Sequence, residues 1–415
     1  MKRILIAIII ICFSTSLSAQ PLSDSVWRRD VKSVLLTRDG VDLESPVLTL
    51  GGGDRLLLQF DVLADEVQLL RYSVAHCDAQ WRRDDLEAYE FMSGFESGDI
   101  ENYDYSFTTL RPYVHYHQMI PSPYSTLLHS GNYVVAVTDE GGDTLFTRRF
   151  WVSEDAASLA ATVERPYDGS EMLRRQEVDV RIATPQGCVV CPTLRPEYVR
   201  ILAQQNSRED TQRWLVHSGY EGPWLCYRHR KENIFDGGNN YRYFDMSNLH
   251  TPMYNVQRVE EYGGEIFALL RPDEDRSRRN YVVEESLNGG MKINVWDRNN
   301  AAVEAEYVWV NISLPMAQPI LDGRVYVVGA LTDWKLDSTS YMEYNTEYRA
   351  YTKRLLLKQG YYSYQLLVDK GHGISRTARL EGDHWETPNS YTLFLYYRSP
   401  SDRADRLLKV TKVRR

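Results

Sequence analysis

Residues 381–397, Glu-Gly-Asp-His-Trp-Glu-Thr-Pro-Asn-Ser-Tyr-Thr-Leu-Phe-Leu-Tyr-Tyr, decide the reading of this chain. They close a stretch that begins at Val325-Tyr-Val-Val-Gly329 and passes through Asp333-Trp334. Apolar and aromatic letters come in short runs, and Gly, Asp, Asn or Pro interrupts each run. The pattern is strand, Gly/Asp/Trp turn, strand, Gly-Tyr turn, strand.

The same pattern extends toward the N-terminus. Ser33–Thr37, Leu56–Phe60, Val67–Val74, Asn132–Val137 and Thr144–Phe150 read as strands. Turn residues at Gly51–Asp54, Ser130–Gly131 and Asp139–Gly142 separate them. No helical period is sustained beyond the N-terminal segment. These features predict an all-β chain of tandem immunoglobulin-like β-sandwich domains. Polar, strand-poor Ser153–Ser158 marks one joint. The charged run Pro272–Arg279 marks a second joint, or else a solvated hairpin loop within the second domain. The expected domains are therefore residues 25–153, 159–272 and 280–415, the last with a basic tail.

Lys2 and Arg3 precede the apolar run Ile4–Phe13, and small residues follow up to Ala19. That is the layout of a signal peptide, residues 1–19, cleaved after Ala19. The alternative, an uncleaved anchor, suffers from a run too short to span a bilayer. The mature chain is thus expected to be exported and soluble, without direct membrane insertion. Removing Lys2 and Arg3 takes the formal charge from −9 to about −11, which disfavours nucleic acid and anionic membranes as partners. The 29 Tyr and 9 Trp suit both half-buried strands and binding surfaces, so aromatic content alone does not separate core from interface.

The candidate chemistry is thin. Cys188 and Cys191 form a Cys-x-x-Cys, but Pro185-Gln-Gly187 before it and Pro192 after it read as a turn rather than a helix start. A redox or zinc site there is set against a local disulfide or free thiols. His76 and Cys77 are adjacent in a strand and point to opposite faces, so they form no dyad. His115 and His117 share a strand face but lack an evident third ligand. Glu381, Asp383, His384 and Glu386 could suggest glycoside hydrolysis, against the plainer reading of a polar loop entering the last strand. No catalytic residue, metal ligand or cofactor is assigned.

Two resemblances follow from the motifs. Val325–Val368, with Gly329, Asp333-Trp334, Gly360 and Tyr364, resembles an early-set immunoglobulin-like domain of the glycogen-binding type. More widely, the chain resembles the type IX secretion system plug protein family, formerly a family of unknown function. The matching residues include His76-Cys-Asp-Ala-Gln-Trp81, Phe91-Met-Ser-Gly-Phe95, Tyr105–Tyr113, Ser130–Tyr133, Arg148–Phe150, Asn233–Asn239, Arg242–Asp245 and Glu381–Arg398. Gly187–Cys191 and Asn240 depart from the expected pattern. The wider resemblance implies a non-enzymatic periplasmic protein on the inner side of the outer membrane. Its partner would be the outer-membrane β-barrel translocon, whose periplasmic opening it plugs. Tyr241, Arg242 and Tyr243, together with Tyr396, Tyr397 and Arg398, are the expected partner-binding residues. The first resemblance supplies the competing expectation, a periplasmic carbohydrate-binding protein.

Overall fold

The computed structural model describes residues 21–38, 43, 45–167, 169–183, 194–284, 286–370 and 376–415. The expected signal peptide and the Cys188/Cys191 pair lie outside them. The described chain is almost entirely β-structure, arranged as sheets packed face to face.

The first sandwich pairs two sheets. One runs Ser25–Val26, Thr144–Ser153, Gly131–Asp139, Leu70–Cys77 and Ser97–Asp99, with Val47–Thr49 alongside Thr144–Ser153. The other runs Val31–Arg38, Leu56–Val62, Val114–Ile120 and Tyr103–Tyr105. Leu70, Tyr72 and Val74 are buried while Arg71 and Ser73 are exposed, so strand alternation turns one face inward. Phe60, Tyr116, Phe146, Tyr133 and Phe150 fill the space between the sheets. Phe60 stacks on Tyr116 at 5.2 Å and meets Phe146 edge-on at 4.8 Å, both favourable ring geometries.

The second and third units are not consecutive in the chain. One sheet of the second holds Ser158–Glu164, Arg175–Ala183, Trp224–Tyr227 and Gly219–Glu221, with Ile234–Asp236 against Arg175–Ala183. Its other sheet runs Arg213–Leu215, Val199–Gln205, Ser390–Tyr397 and Arg406–Arg414. The third unit uses everything between. It holds Arg242–Asp245, Gly360–Asp369, Met291–Ile293 and Arg324–Val328 in one sheet. Val256–Tyr262, Glu265–Leu270, Tyr307–Pro315, Ala350–Lys358 and Glu343–Asn345 form the other.

This arrangement corrects the expected boundaries at 272 and 280. Strands 242–270 belong to the third unit, and strands 390–414 close the second. The physical reason is the pairing of Val199–Gln205 with Ser390–Tyr397, seven consecutive register partners that local reading cannot reveal. Tyr391, Leu393 and Leu395 then enter a core with Val178, Val180 and Ile182. The segment Pro272–Arg279 is no linker either. The Asp273 N–H donates to the Ser313 carbonyl at 2.8 Å, and the Arg276 N–H to the Leu380 carbonyl at 2.8 Å. The Ser153–Ser158 connection does lie between two strands. It is also pinned, because the Glu154 and Ala156 N–H groups donate to the Leu407 and Leu408 carbonyls.

Ser390–Tyr397 is buried on both faces. While its inward residues fill the second core, Phe394 and Tyr396 pack with Ala79, Leu202 and Leu407 against the first sandwich. Phe394 stacks on Trp151 at 4.9 Å. The Tyr396 hydroxyl donates to Asn132 Oδ1 at 2.7 Å, joining strands 264 positions apart.

Candidate partner-binding surface

Four of the six expected contact residues are interior. Tyr241 is 1% exposed and Arg242 7%; Tyr396 is 1% and Tyr397 7%. Only side chains that water reaches are free to meet a partner, so these four are corrected to structural roles. Tyr243 is half-buried, lying parallel to Tyr361 with ring centres 5.6 Å apart. Arg398 is exposed, and its guanidinium donates to the Arg403 carbonyl at 2.9 Å.

Arg242 is instead the centre of a buried ionic network. Its Nε donates to Glu381 Oε1 and its Nη1 to Asp273 Oδ1, both at 2.9 Å. Arg276 Nε donates to Glu381 Oε2 at 2.9 Å, the Leu366 N–H to Glu381 Oε1 at 2.8 Å, and the Tyr364 hydroxyl to Asp273 Oδ2 at 2.9 Å. Burial alone would raise the Glu381 pKa. The two guanidiniums and the Leu366 N–H outweigh it and hold the carboxyl below its ordinary value. Glu381 is therefore a counter-ion. It is unsuited to act as the proton donor of a hydrolase, a role that calls for a raised pKa.

The other titratable candidates are also engaged structurally. The Cys77 thiol is buried, and desolvation pushes its pKa up to about 12, leaving almost no thiolate at neutral pH. His76 faces Asp84 through Nδ1 and the Ser130 carbonyl through Nε2 at 3.0 Å. His115 is bonded through Nδ1 to Asp61 at 2.6 Å. Asp61 is fully buried and also accepts from the Tyr307 hydroxyl at 2.6 Å and Lys358 Nζ at 2.5 Å. This knot ties the first sandwich to the third, as does Arg148 Nη2 donating to Asp333 Oδ1 at 2.8 Å. The Asp333-Trp334 turn thus faces inward. Trp334 is half-buried, with its ring edge-on to Tyr241 at 6.2 Å. A cleft of about 560 Å³ lies between the units, and Asp24, Asp61, Trp151, Trp334 and Lys358 are among its walls.

Exposed aromatics occur on all three units, Tyr167, Tyr262 and Trp296 among them, and on the first sandwich they gather in two groups. Tyr89, Phe95 and Tyr124 are 75%, 73% and 87% exposed, with Leu128 beside them. They surround a two-stranded ribbon, Met92–Ser93 paired with Thr126–Leu127. Gly94 makes the close approach possible, since its φ is +95° and a Cβ there would lie 2.5 Å from the Tyr124 carbonyl oxygen. Ser125 then holds the loop, its Oγ accepting from the Phe95 N–H and donating to the Phe95 carbonyl. A second exposed group, Tyr103, Tyr105 and Phe107, follows the edge strand Tyr103–Tyr105 of the same sandwich. Sequence reasoning singled out neither group. The available signal was their setting, since Phe95-Glu-Ser-Gly and Pro121-Ser-Pro-Tyr124 place aromatics inside turns, where no core covers them.

Residues 31–154, the first sandwich, match the family model described as type 9 secretion system plug protein 1st domain. No curated protein matches the chain. A solved structure of a hypothetical protein from Parabacteroides merdae is 28% identical, with a TM-score of 0.91 covering 95% of this chain and 100% of that one. The arrangement of all three units is thus shared with that protein. No described helix is long and apolar enough to cross a membrane. The match of its first sandwich to the plug protein's first domain links this chain to type IX secretion.

Proposed function

We propose that this chain is a non-enzymatic periplasmic component of the type IX secretion system that closes the periplasmic opening of the outer-membrane translocon barrel. The observation that carries the reading is the coincidence of two features on residues 31–154. That unit matches the plug family's first domain, and it presents Tyr89, Phe95 and Tyr124 to solvent. A seal must bury a large interface, and exposed aromatic anchors supply most of the energy of such contacts. A plug must also resist deformation; the buried Asp61 knot ties the first unit to the third, and Phe394 and Tyr396 tie the second to the first. The carbohydrate-binding alternative has less support, because Trp334 lies half-buried against Tyr241 rather than on an open face.

The test is permeability. Deleting the gene should sensitise cells to large antibiotics that the outer membrane excludes, and removing the barrel as well should cancel that sensitivity. A folded Phe95→Ser, Tyr124→Ser double variant should fail to restore the barrier and fail to recover the barrel in affinity purification. A deletion strain no leakier than its parent, with the barrel assembled, would refute the proposal.

A further inference from the structure

The first two strands of the second sandwich carry three carboxylates on one face. Ser158–Glu164 and Arg175–Ala183 pair in antiparallel register, with Thr162 opposite Asp179 and Glu164 opposite Glu177. Because side chains alternate, Val163, Val178 and Val180 take one side of the pair, while Glu164, Glu177 and Asp179 take the other. Like charges directly opposite each other on a sheet destabilise it. Here the repulsion has a buried component, since the Glu177 side chain is 3% exposed.

Three other buried carboxylates are balanced by cations, and Glu306 by three backbone N–H groups. Glu381 has Arg242 and Arg276, Asp61 has Lys358, and Asp405 has Arg200. Among the described residues, neither Glu177 nor Asp179 has an Arg or Lys within ion-pair distance. What they have is His229, which follows strand Trp224–Tyr227. Its backbone N–H reaches Glu177 Oε1 at 2.8 Å, and its Nδ1 lies 3.1 Å from the same oxygen. One ligand atom each from Glu177, Asp179 and His229 lies within 4.8 Å of the other two. Asp179 Oδ1 is shielded from solvent and has no hydrogen-bond partner among the described residues. A shielded carboxylate oxygen without a donor is costly unless something else supplies positive charge.

We infer that Glu177, Asp179 and His229 form a binding site for a divalent first-row cation of the Zn²⁺ class. Two carboxylate oxygens and an imidazole nitrogen are three of the four ligands such an ion takes, and water from the exposed His229 side completes the set. Bound ligand atoms lie about 2.0–2.2 Å from the ion, so the three groups need only draw together slightly. His229 then holds its proton on Nε2, which frees the Nδ1 lone pair and replaces the present contact with Glu177. Glu164, opposite Glu177 on the neighbouring strand, adds negative potential without being a required ligand. The ion would clamp the 175–183 strand to the turn after residue 227.

The test is calorimetric titration of the metal-free full-length protein with Zn²⁺ alone, alongside Asp179→Asn and His229→Gln. His229 is largely exposed and Asp179→Asn removes a like charge, so both variants should fold, as circular dichroism would verify. The expected result is one equivalent bound by the wild type, with affinity falling roughly tenfold or more in each variant. Zn²⁺ should also raise the melting temperature of the wild type and leave Asp179→Asn unmoved. Absence of Zn²⁺ binding by the wild type, or equal binding by all three proteins, would overturn the inference.

Discussion

Replacing Glu381 by glutamine tests whether the Arg242 network is what pins segments 273–276 and 381 onto strands Arg242–Asp245 and Gly360–Asp369 of the third unit. The substitution keeps the shape and one acceptor oxygen. It removes the charge and turns an NH₂ donor toward guanidiniums that are themselves donors. In the wild type two cations, Arg242 and Arg276, face two carboxylates, Glu381 and Asp273. In the variant Arg242 keeps Asp273, whereas Arg276 keeps only the Asn240 carbonyl. One largely shielded charge, Arg276 with its side chain 15% exposed, is then left without a counter-ion, and the expected loss is about 3 kcal/mol. A three-unit chain need not unfold in one step, so local hydrogen exchange is the better assay. Amides of Gly360–Asp369, whose Leu366 N–H bonds directly to Glu381, should exchange roughly a hundredfold faster or more. Acid should shrink the difference. The wild-type carboxyl is held below its ordinary value of about 4.5, so its contribution is present above that pH and fades as pH falls through the folded value. The double variant Arg276→Met, Glu381→Gln should recover part of the loss. A change under about 1 kcal/mol in Glu381→Gln alone would refute the reasoning, since the network would then be incidental.

Asp24 behaves oppositely. Burial raises its pKa to about 6 against the pull of Arg148 and Arg149, so ionisation opposes folding, and stability present in acid is lost as pH rises through that value. Asp24→Asn should therefore stabilise by about 1–3 kcal/mol at pH 8 and by nothing near pH 4, as thermal melts at the two pH values would show. Asp61→Ala strands Lys358 and should cost about 3–5 kcal/mol, with exchange rising first in Val31–Arg38 and Ala350–Lys358, which flank the knot. Cys77, buried and with its thiol pushed up to about 12, should resist iodoacetamide in the native protein and react once denaturant opens the first sandwich.

The β class was legible because alternation and turn glycines are local signals. Leu70–Cys77 and Tyr307–Pro315 alternate in sequence as they do in burial. The sharing of strands between units was not legible. A pairing such as Leu202 with Phe394 leaves no mark in either segment beyond ordinary strand letters. The same limit explains the contact residues. Tyr396 and Arg242 carry the letters of an interface, but a tyrosine with a buried amide partner and an arginine with two buried carboxylates carry them equally well. Phe95 and Tyr124 were readable in principle, through the glycine, serine and proline around them. The ionic knots were opaque, because Asp61 and Lys358 lie 297 positions apart.

The interleaving of the second and third units also dictates a schedule. A chain that emerges N-terminus first can finish its first sandwich, residues 25–153, while the rest is still arriving. The second has one sheet by residue 236 but must wait, its core open, until the whole of the third has been threaded and residues 390–414 follow. Val178, Val180 and Ile182 lack the cover of Tyr391, Leu393 and Leu395 throughout that interval, and the Trp151 face awaits Phe394. The last segment to arrive therefore closes two surfaces at once. A chain that stops short of it has a finished first sandwich presenting Tyr89, Phe95 and Tyr124, joined to an exposed apolar sheet that quality-control proteases and chaperones can recognise.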